Sequence, residues 1–444
     1  MAMNKNTMIV LAVVVVLAAA VIVAAVFLLP GKDITKDATD METSELKVFG
    51  NINGDGVIDQ KDIDIIQKLI DDGKAVTDYP AADANQDKKI DSKDIDLVKK
   101  IIAGESCTIW HINLHDTDGD GKMDYETVST KFPINSIICT GSSNTFMMLY
   151  LCDVVDEVKG ASYGSTIDNI FKDNYKNEEK VKKLGTSSTS IAFEDGKGAA
   201  SELIKEKNVT MVLSDWNRTY LTNEADFEKA GVDVVRIAAA STDINTVAHN
   251  SNLLGLLFQK QKRAAEVTEY MKEVFDKIDK KMAKEGGVTA VVSSMTNYYS
   301  VGDSDYNAVA KYAGATIALD KGDWGTTTSI KVMDNLIVFN PDEYKYDYII
   351  HLRAYNGYTN EANLPELYDT YTKDIAKYWE HGTDGQYIVN GNMPIPCRIA
   401  YAMVCFYDDV DKAWADEIHQ GFVDKFFEGS YDVSKLSFFY PIEA

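Results

Sequence analysis

Asn51, Asn53, Asp55, Asp59 and Asp62 occupy positions 1, 3, 5, 9 and 12 of a twelve-residue stretch, and Asp83, Asn85, Asp87, Asp91 and Asp94 repeat that spacing 32 residues later. Side-chain oxygens so placed, with a backbone carbonyl at position 7 (Val57 and Lys89), wrap a calcium ion, which takes about six to eight hard oxygen ligands. A third acidic turn follows the same rule, with Asp116, Asp118, Asp120 and Asp124 as oxygens, Lys122 at position 7 and Gly121 at position 6. Its position 12 is Thr127, beside Glu126. Calcium is therefore the expected cofactor, and weak loops of this kind work where calcium is plentiful, outside the cell. One departure stands in the second loop. Lys88 replaces the turn glycine, where left-handed backbone costs a residue with a side chain about 1–2 kcal/mol.

These oxygens need elements to hold them. Ile63, Ile66, Leu69 and Ile70 recur at helical spacing after the first loop, and Ile95, Val98, Ile101 and Ile102 after the second. The third turn sits between alternating stretches around Ile109 and His111 and over 125–131, so it is expected at the tip of a β-hairpin. Strand and helix patterns then alternate: a strand over 134–140, helices over 146–158, 199–207 and 224–230, strands over 209–214 and 232–237. That alternation predicts an α/β lobe with a mostly parallel sheet. The interlobe segment 243–286 is helical: one helix covers about 243–258, and after the Gly255-to-Gln261 region a second, highly charged one runs to about Glu285. A second α/β lobe starts at Val288.

Upstream, residues 8–29 run 22 positions without a charge. At about 1.5 Å per residue this spans a bilayer core of about 30 Å, and it exceeds the roughly 7–15 apolar residues of a signal peptide. An uncleaved anchor is expected, with the bulk of the protein extracytoplasmic. The division is then 1–30 transmembrane anchor, 31–47 linker, 48–106 calcium module, 107–242 first lobe, 243–286 interlobe helical segment and 287–444 second lobe. The formal charge is −24, and residues 33–130 carry 23 acidic against 11 basic side chains, half of that excess. Such acidity argues against nucleic acid as a partner. Five cysteines have no metal-binding spacing; Cys139 and Cys152 lie in apolar runs and read as buried small hydrophobes. Sequence does not fix whether Cys397 and Cys405 pair. No P-loop, Gly-x-Ser-x-Gly or His-Glu-x-x-His motif occurs, which disfavours an enzyme. His111 and His115 sit in a strand context that does not make a metal site.

The loop–helix duplicate with Asp at position 12 resembles the dockerin module. That resemblance implies calcium binding and a cohesin domain as partner, although positions 10 and 11 are Gln60–Lys61 and Ser92–Lys93 rather than small hydroxyl pairs. Hairpin, lobe, long helix, lobe resembles the helix-linked periplasmic binding proteins of ABC importers for ferric siderophores, haem and cobalamin. The motifs that carry this are the entry hairpin leading to Pro133, the run Ile137 to Asn144, the stretch from Glu202 to Leu213, and the final Asp432 to Lys435 and Phe438 to Pro441. The implied fold is α/β, two Rossmann-like lobes joined by a long helix, behind a small all-α, EF-hand-like module and a transmembrane helix.

A cleft between such lobes is lined by loops at the carboxyl ends of strands. The candidates there are Ser142, Ser143, Asn144, Tyr163, Trp216, Arg218, Tyr298, Tyr299, Arg353 and Tyr355, with Trp324 and Arg398 behind them. Aromatic faces would bury the rim of a metal chelate and Arg forks would satisfy its carboxylates. Ferric iron held directly by Tyr298 and Tyr299 is less expected, because adjacent strand residues face opposite ways. The resemblance further implies docking on an ABC permease through one carboxylate per lobe, Glu202 and Asp334. The alternative reading is a calcium-dependent cell-surface adhesion or scaffold protein.

Overall fold

The structure, a computed structural model, describes residues 41–119, 121–162, 180–185, 191–282, 287–295, 298–322, 324–325, 327, 329–331, 346–353, 358, 385–428, 431–436 and 438–442. Among these no helix is long and apolar enough to cross a membrane; the apolar run 8–29 lies outside them.

In the module of acidic loops the residues expected to ligate calcium also start the helices. Asp59 caps α1 (Gln60–Asp71) by accepting the Lys61 N–H, and Asp62 reaches back to the Asp59 N–H. Asp91 and Asp94 do the same for α2 (Ser92–Ala103). This reciprocal cap satisfies backbone donors that a helix start leaves bare. Lys88 takes the left-handed backbone that its loop demands, with φ 68°. Ile63, Ile66, Leu69, Ile95 and Val98 share one core.

Strands β1 (Cys107–His115) and β2 (Asp124–Phe132) form the expected hairpin, paired in register from Cys107↔Phe132 to His115↔Asp124. The first lobe follows. Its parallel sheet runs in the order β5 (Lys182–Gly185), β4 (Val158–Ser162), β3 (Ile137–Thr140), β6 (Met211–Asp215), β7 (Asp233–Ile237). Helices α3 (Ser143–Leu151), α4 (Gly198–Glu206) and α5 (Glu224–Lys229) connect the strands. The helix expected over 146–158 is shorter and earlier. It springs from Ser143 and stops before Asp153, whose φ of 59° breaks the helical path.

The interlobe segment is a helical hairpin rather than one rod. Helix α6 (Ile244–Leu257) folds back against α7 (Gln261–Met282), with the Thr268 hydroxyl donating to the Asn252 Oδ1 at 3.1 Å. Gly255 permits the contact, since a Cβ there would stand 2.3 Å from that of Ala264. Helix α7 alone, roughly 33 Å long by its 22 residues, leads into the second lobe.

That lobe holds a seven-stranded mixed sheet in the order β11 (Ser329–Lys331), β9 (Tyr298–Ser300), β8 (Thr289–Met295), β12 (Tyr348–Arg353), β13 (Gly385–Asn390), β14 (Phe439–Ile442), with β10 (Thr316–Ile317) beside β8. Strands β8, β12 and β13 are parallel and β14 closes the sheet antiparallel. Helices α8 (Asp305–Tyr312), α9 (Ile395–Phe406) and α10 (Lys412–Phe426) cover it. One apolar core runs through both lobes and α6–α7. The module has its own core, which also takes in Ile112 and Leu114 of β1 and Ala238 after β7.

Candidate functional site

The order of strands in the first lobe reverses at β3, and α/β sheets receive ligands at the carboxyl ends beside such a reversal. The loops leaving β3 and β6 meet there. Asp215, the last residue of β6, accepts the hydroxyls of Ser142 (2.9 Å) and Thr145 (3.1 Å) and the Asn217 N–H (3.3 Å). Burial pushes its carboxyl above the usual range, and these donors pull it back. Next in sequence, half-buried Trp216 walls a cleft of about 280 Å³. Gly121, Lys122 and Met123 of the hairpin tip, Ala238 and residues 240–242 after β7, and Asp303, Asp305 and Ala308 of the second lobe complete the lining.

Arg236 on β7 fixes the Trp216 loop from behind. It is 0% exposed, pairs with Glu224 at 2.6 Å, and donates to the carbonyls of Asp215 and Leu221, each at 2.8 Å. Across the junction, buried Arg398 of α9 donates to the Asn144 carboxamide and to the Met393 carbonyl. Burial, reinforced by Asp215 and opposed by Arg398, pushes the Asp305 carboxyl up to about 7. Met147, Met148, Met271 and Met393 line a separate void of only about 10 Å³ between the lobes.

Ser142, Asn144, Trp216 and Arg398 thus gather at the lobe junction, with Ser143 as the first residue of α3. Arg218 is exposed and lies against Gly119 of the hairpin tip. Tyr299 does not belong to the cleft. The pleat turns it into the core, 0% exposed, while Tyr298 remains half-buried opposite Lys331. Trp324 is half-buried, packs on the same core and donates its Nε1–H to the Leu319 carbonyl at 2.6 Å. Glu202 is exposed on α4. Tyr163, Tyr355, Asp334, Asp120 and the Arg353 side chain lie outside the described residues. The sequence reading missed Asp215, Arg236 and Asp305. Arg236 had a signal: a charge inside the apolar run Val234–Ile237 requires a buried partner.

The acidic loops suit a hard cation. In the first, the Asn51 Nδ2 donates to the carbonyls of Leu46 and Asp55, each at 2.7 Å, and to the Ser44 hydroxyl. Its Oδ1 has no partner although the residue is 1% exposed, and it is the oxygen that position 1 would offer to calcium. Asp62 accepts the Ile52 N–H, and burial pushes its carboxyl up to about 7. Lys61 lies 3.7 and 3.6 Å from Asp55 and Asp59, and Lys93 lies 3.0 and 3.9 Å from Asp87 and Asp91. In the second loop Asp83 accepts the N–H groups of Asp87 and Lys88. At the hairpin tip, carboxylate oxygens of Asp116, Asp118 and Asp124 lie within 4.8 Å of one another. His111 is not part of any such site: it is buried and paired with Thr130, while His115 faces Glu126 and Glu224.

Residues 50–103 match the family model described as the dockerin type I domain. The TroA-like periplasmic binding protein FepB from Veillonella parvula is similar over 75% of this chain and 100% of its own, at 17% identity and a TM-score of 0.52. Looser likenesses are an ABC transporter solute binding protein from Sulfurospirillum deleyianum (15% identity, 70% of this chain, 95% of its own, TM-score 0.48) and Helicobacter pylori CeuE with nickel bound (15%, 73%, 99%, 0.47). No curated protein matches the chain in sequence.

Proposed function

With residues 50–103 a dockerin type I domain and the body sharing its fold with a TroA-like periplasmic binding protein, we propose that this chain is the extracytoplasmic substrate-binding component of an ABC importer, tethered to the membrane by residues 8–29. The observation that carries this reading is the position of the cleft. It lies past the carboxyl ends of β6 and β7, next to the strand reversal of the first lobe, and at the junction of the two lobes, walled by Trp216. The ligand class is a metal chelate: a ferric siderophore, haem or a corrinoid. At about 280 Å³ the cleft is near the lower end of small-molecule sites, about 300–1,000 Å³, so it would take the edge of a flat chelate against the indole. Calcium sits in the dockerin loops as a structural ion. Its chemistry there is charge neutralisation, and the residues that hold it are those at positions 1, 3, 5, 7, 9 and 12. Delivery would engage permease subunits through Glu202 on the first lobe and Asp334 on the second.

The test is a thermal-shift and calorimetric screen of ferric siderophores, haem and corrinoids in calcium buffer. A bound molecule raises the melting temperature by mass action. One chelate that does so, with quenching of tryptophan fluorescence, supports the reading; silence from all three classes sinks it.

A second reading, a calcium-dependent surface scaffold protein, draws support from the exposure of Gln60, Lys61, Ser92 and Lys93, the partner-reading positions. Retention on immobilised cohesin without any chelate binding would favour it.

A further inference from the structure

A docking domain on a tether would touch its neighbours little. Here three seams join the calcium module to the wall of the cleft. The first is backbone: the Phe49 N–H donates to the Trp110 carbonyl at 2.9 Å and the Ile112 N–H to that of Lys47 at 2.8 Å, so Val48 bridges antiparallel to His111 of β1. The second is the helical hairpin. The Lys47 N–H donates to the His249 Nδ1 (3.1 Å), the Asn252 amide to the Glu45 carbonyl (3.1 Å), and Lys272 pairs with Glu45 at 2.6 Å. Gly56, at position 6 of the first calcium loop, faces Asn252 so closely that a Cβ would stand 2.6 Å from its Nδ2. The other end of that carboxamide accepts from Thr268 on α7, the helix that enters the second lobe. The third seam is the module core, against which both Trp216 and Met123 of the cleft wall pack.

Asn51 is where these seams meet the ion. Its amide ties residues 44 and 46 to the loop, and its unpartnered Oδ1 is the position-1 ligand. A cation that fixes Asn51 fixes the 44–49 segment with it.

We propose that calcium in the first loop is coupled to the cleft: the ion sets the 44–49 segment and the Gly56–Asn252–Thr268 contact, and so holds the Trp216 wall in its binding geometry. Chelate affinity then rises with calcium, and by thermodynamic reciprocity the chelate tightens calcium by the same factor. This rests on the binding-protein reading for its ligand, but not for its structural half.

The experiment uses the full chain with calcium or with EGTA. Without ligand, amide hydrogen exchange in 107–115 and 244–257 should slow at least about five-fold with calcium, while 385–406 in the second lobe stays unchanged. With the chelate found in the screen, the dissociation constant should tighten at least about five-fold, the low end of ordinary coupling factors. Asp55→Ala should abolish both effects. Asn252→Ala, which removes neither a calcium ligand nor a cleft residue, should keep calcium binding but leave chelate affinity independent of calcium. Exchange in 107–115 and 244–257 that ignores calcium overturns the proposal whether or not a chelate is known. Coupling that survives Asp55→Ala assigns the effect to the second loop or the acidic hairpin tip and equally overturns it. A failed ligand screen with calcium-dependent exchange sinks only the binding-protein reading.

Discussion

Arg236 is the most heavily committed residue of the first lobe, a full charge with 0% exposure answered by Glu224 and two carbonyls. Removing one member of a buried pair leaves the other uncompensated, so Arg236→Ala should cost about 3–5 kcal/mol in urea unfolding. Arg236→Lys should recover little, because one ammonium cannot match the guanidinium fork. A loss below about 1 kcal/mol would show that the loop carrying Trp216 is held by something else. His249 supports a pH prediction. Its Nδ1 accepts the Lys47 N–H, so it must stay unprotonated, and burial pushes its pKa down to about 3. An unfolded histidine titrates near 6.5, so the unfolded chain takes up the proton first. The contribution of His249 is therefore complete above about pH 6.5 and lost as pH falls toward the folded value. Asp305, raised to about 7, has the opposite trend, since its protonated form is favoured in the folded state. The measurement that isolates the histidine is the stability gap between wild type and His249→Gln, which should shrink from pH 6.5 to pH 5. A constant gap would remove His249 from the acid response.

At the scale of elements, the α6–α7 hairpin depends on one missing side chain. Gly255→Val should push the Ala264 methyl and the Gln261 backbone away, costing about 1–3 kcal/mol as overpacking does. Chemical denaturation and the near-ultraviolet spectrum would record it; a neutral result would mean the helices slide apart freely. The break at 258–260 falls inside the Gly255-to-Gln261 region expected from sequence, while Gly255 itself serves close packing. The end of α3 was hidden, because Asp153 turns left-handed without being glycine. The calcium helices were legible because positions 9 and 12 of each loop are also the cap residues. Lobe alternation was legible through its apolar runs. Burial of Tyr299 was not, since a residue near a strand start faces core or cleft by pleat parity, which register alone decides. Asp215 and Asp305 gave no signal, because their chemistry comes from elements 90 residues apart in sequence.

Across the whole molecule the lobes are stitched as well as bridged. Arg263 donates to the Leu151 carbonyl at 2.8 Å in one lobe and to that of Phe426 at 3.1 Å in the other, and the Glu428 N–H reaches the Tyr150 hydroxyl at 2.7 Å. Capture of ligand should therefore change the radius of gyration by less than about 1 Å in solution scattering, as in pre-organised complexes. A larger contraction would mean that these bonds break on closing. The strand β7 is the last of its sheet, and the hairpin lies along it: Asn113 takes the Arg236 N–H and Asp233 takes that of Lys131. A shortened protein beginning at Pro133 would bare that border, a row of backbone donors and acceptors ready to zip onto a second molecule. The upstream third of the chain is then a built-in guard against self-association, and trimming it to obtain a tidy binding domain should yield oligomers on a sizing column.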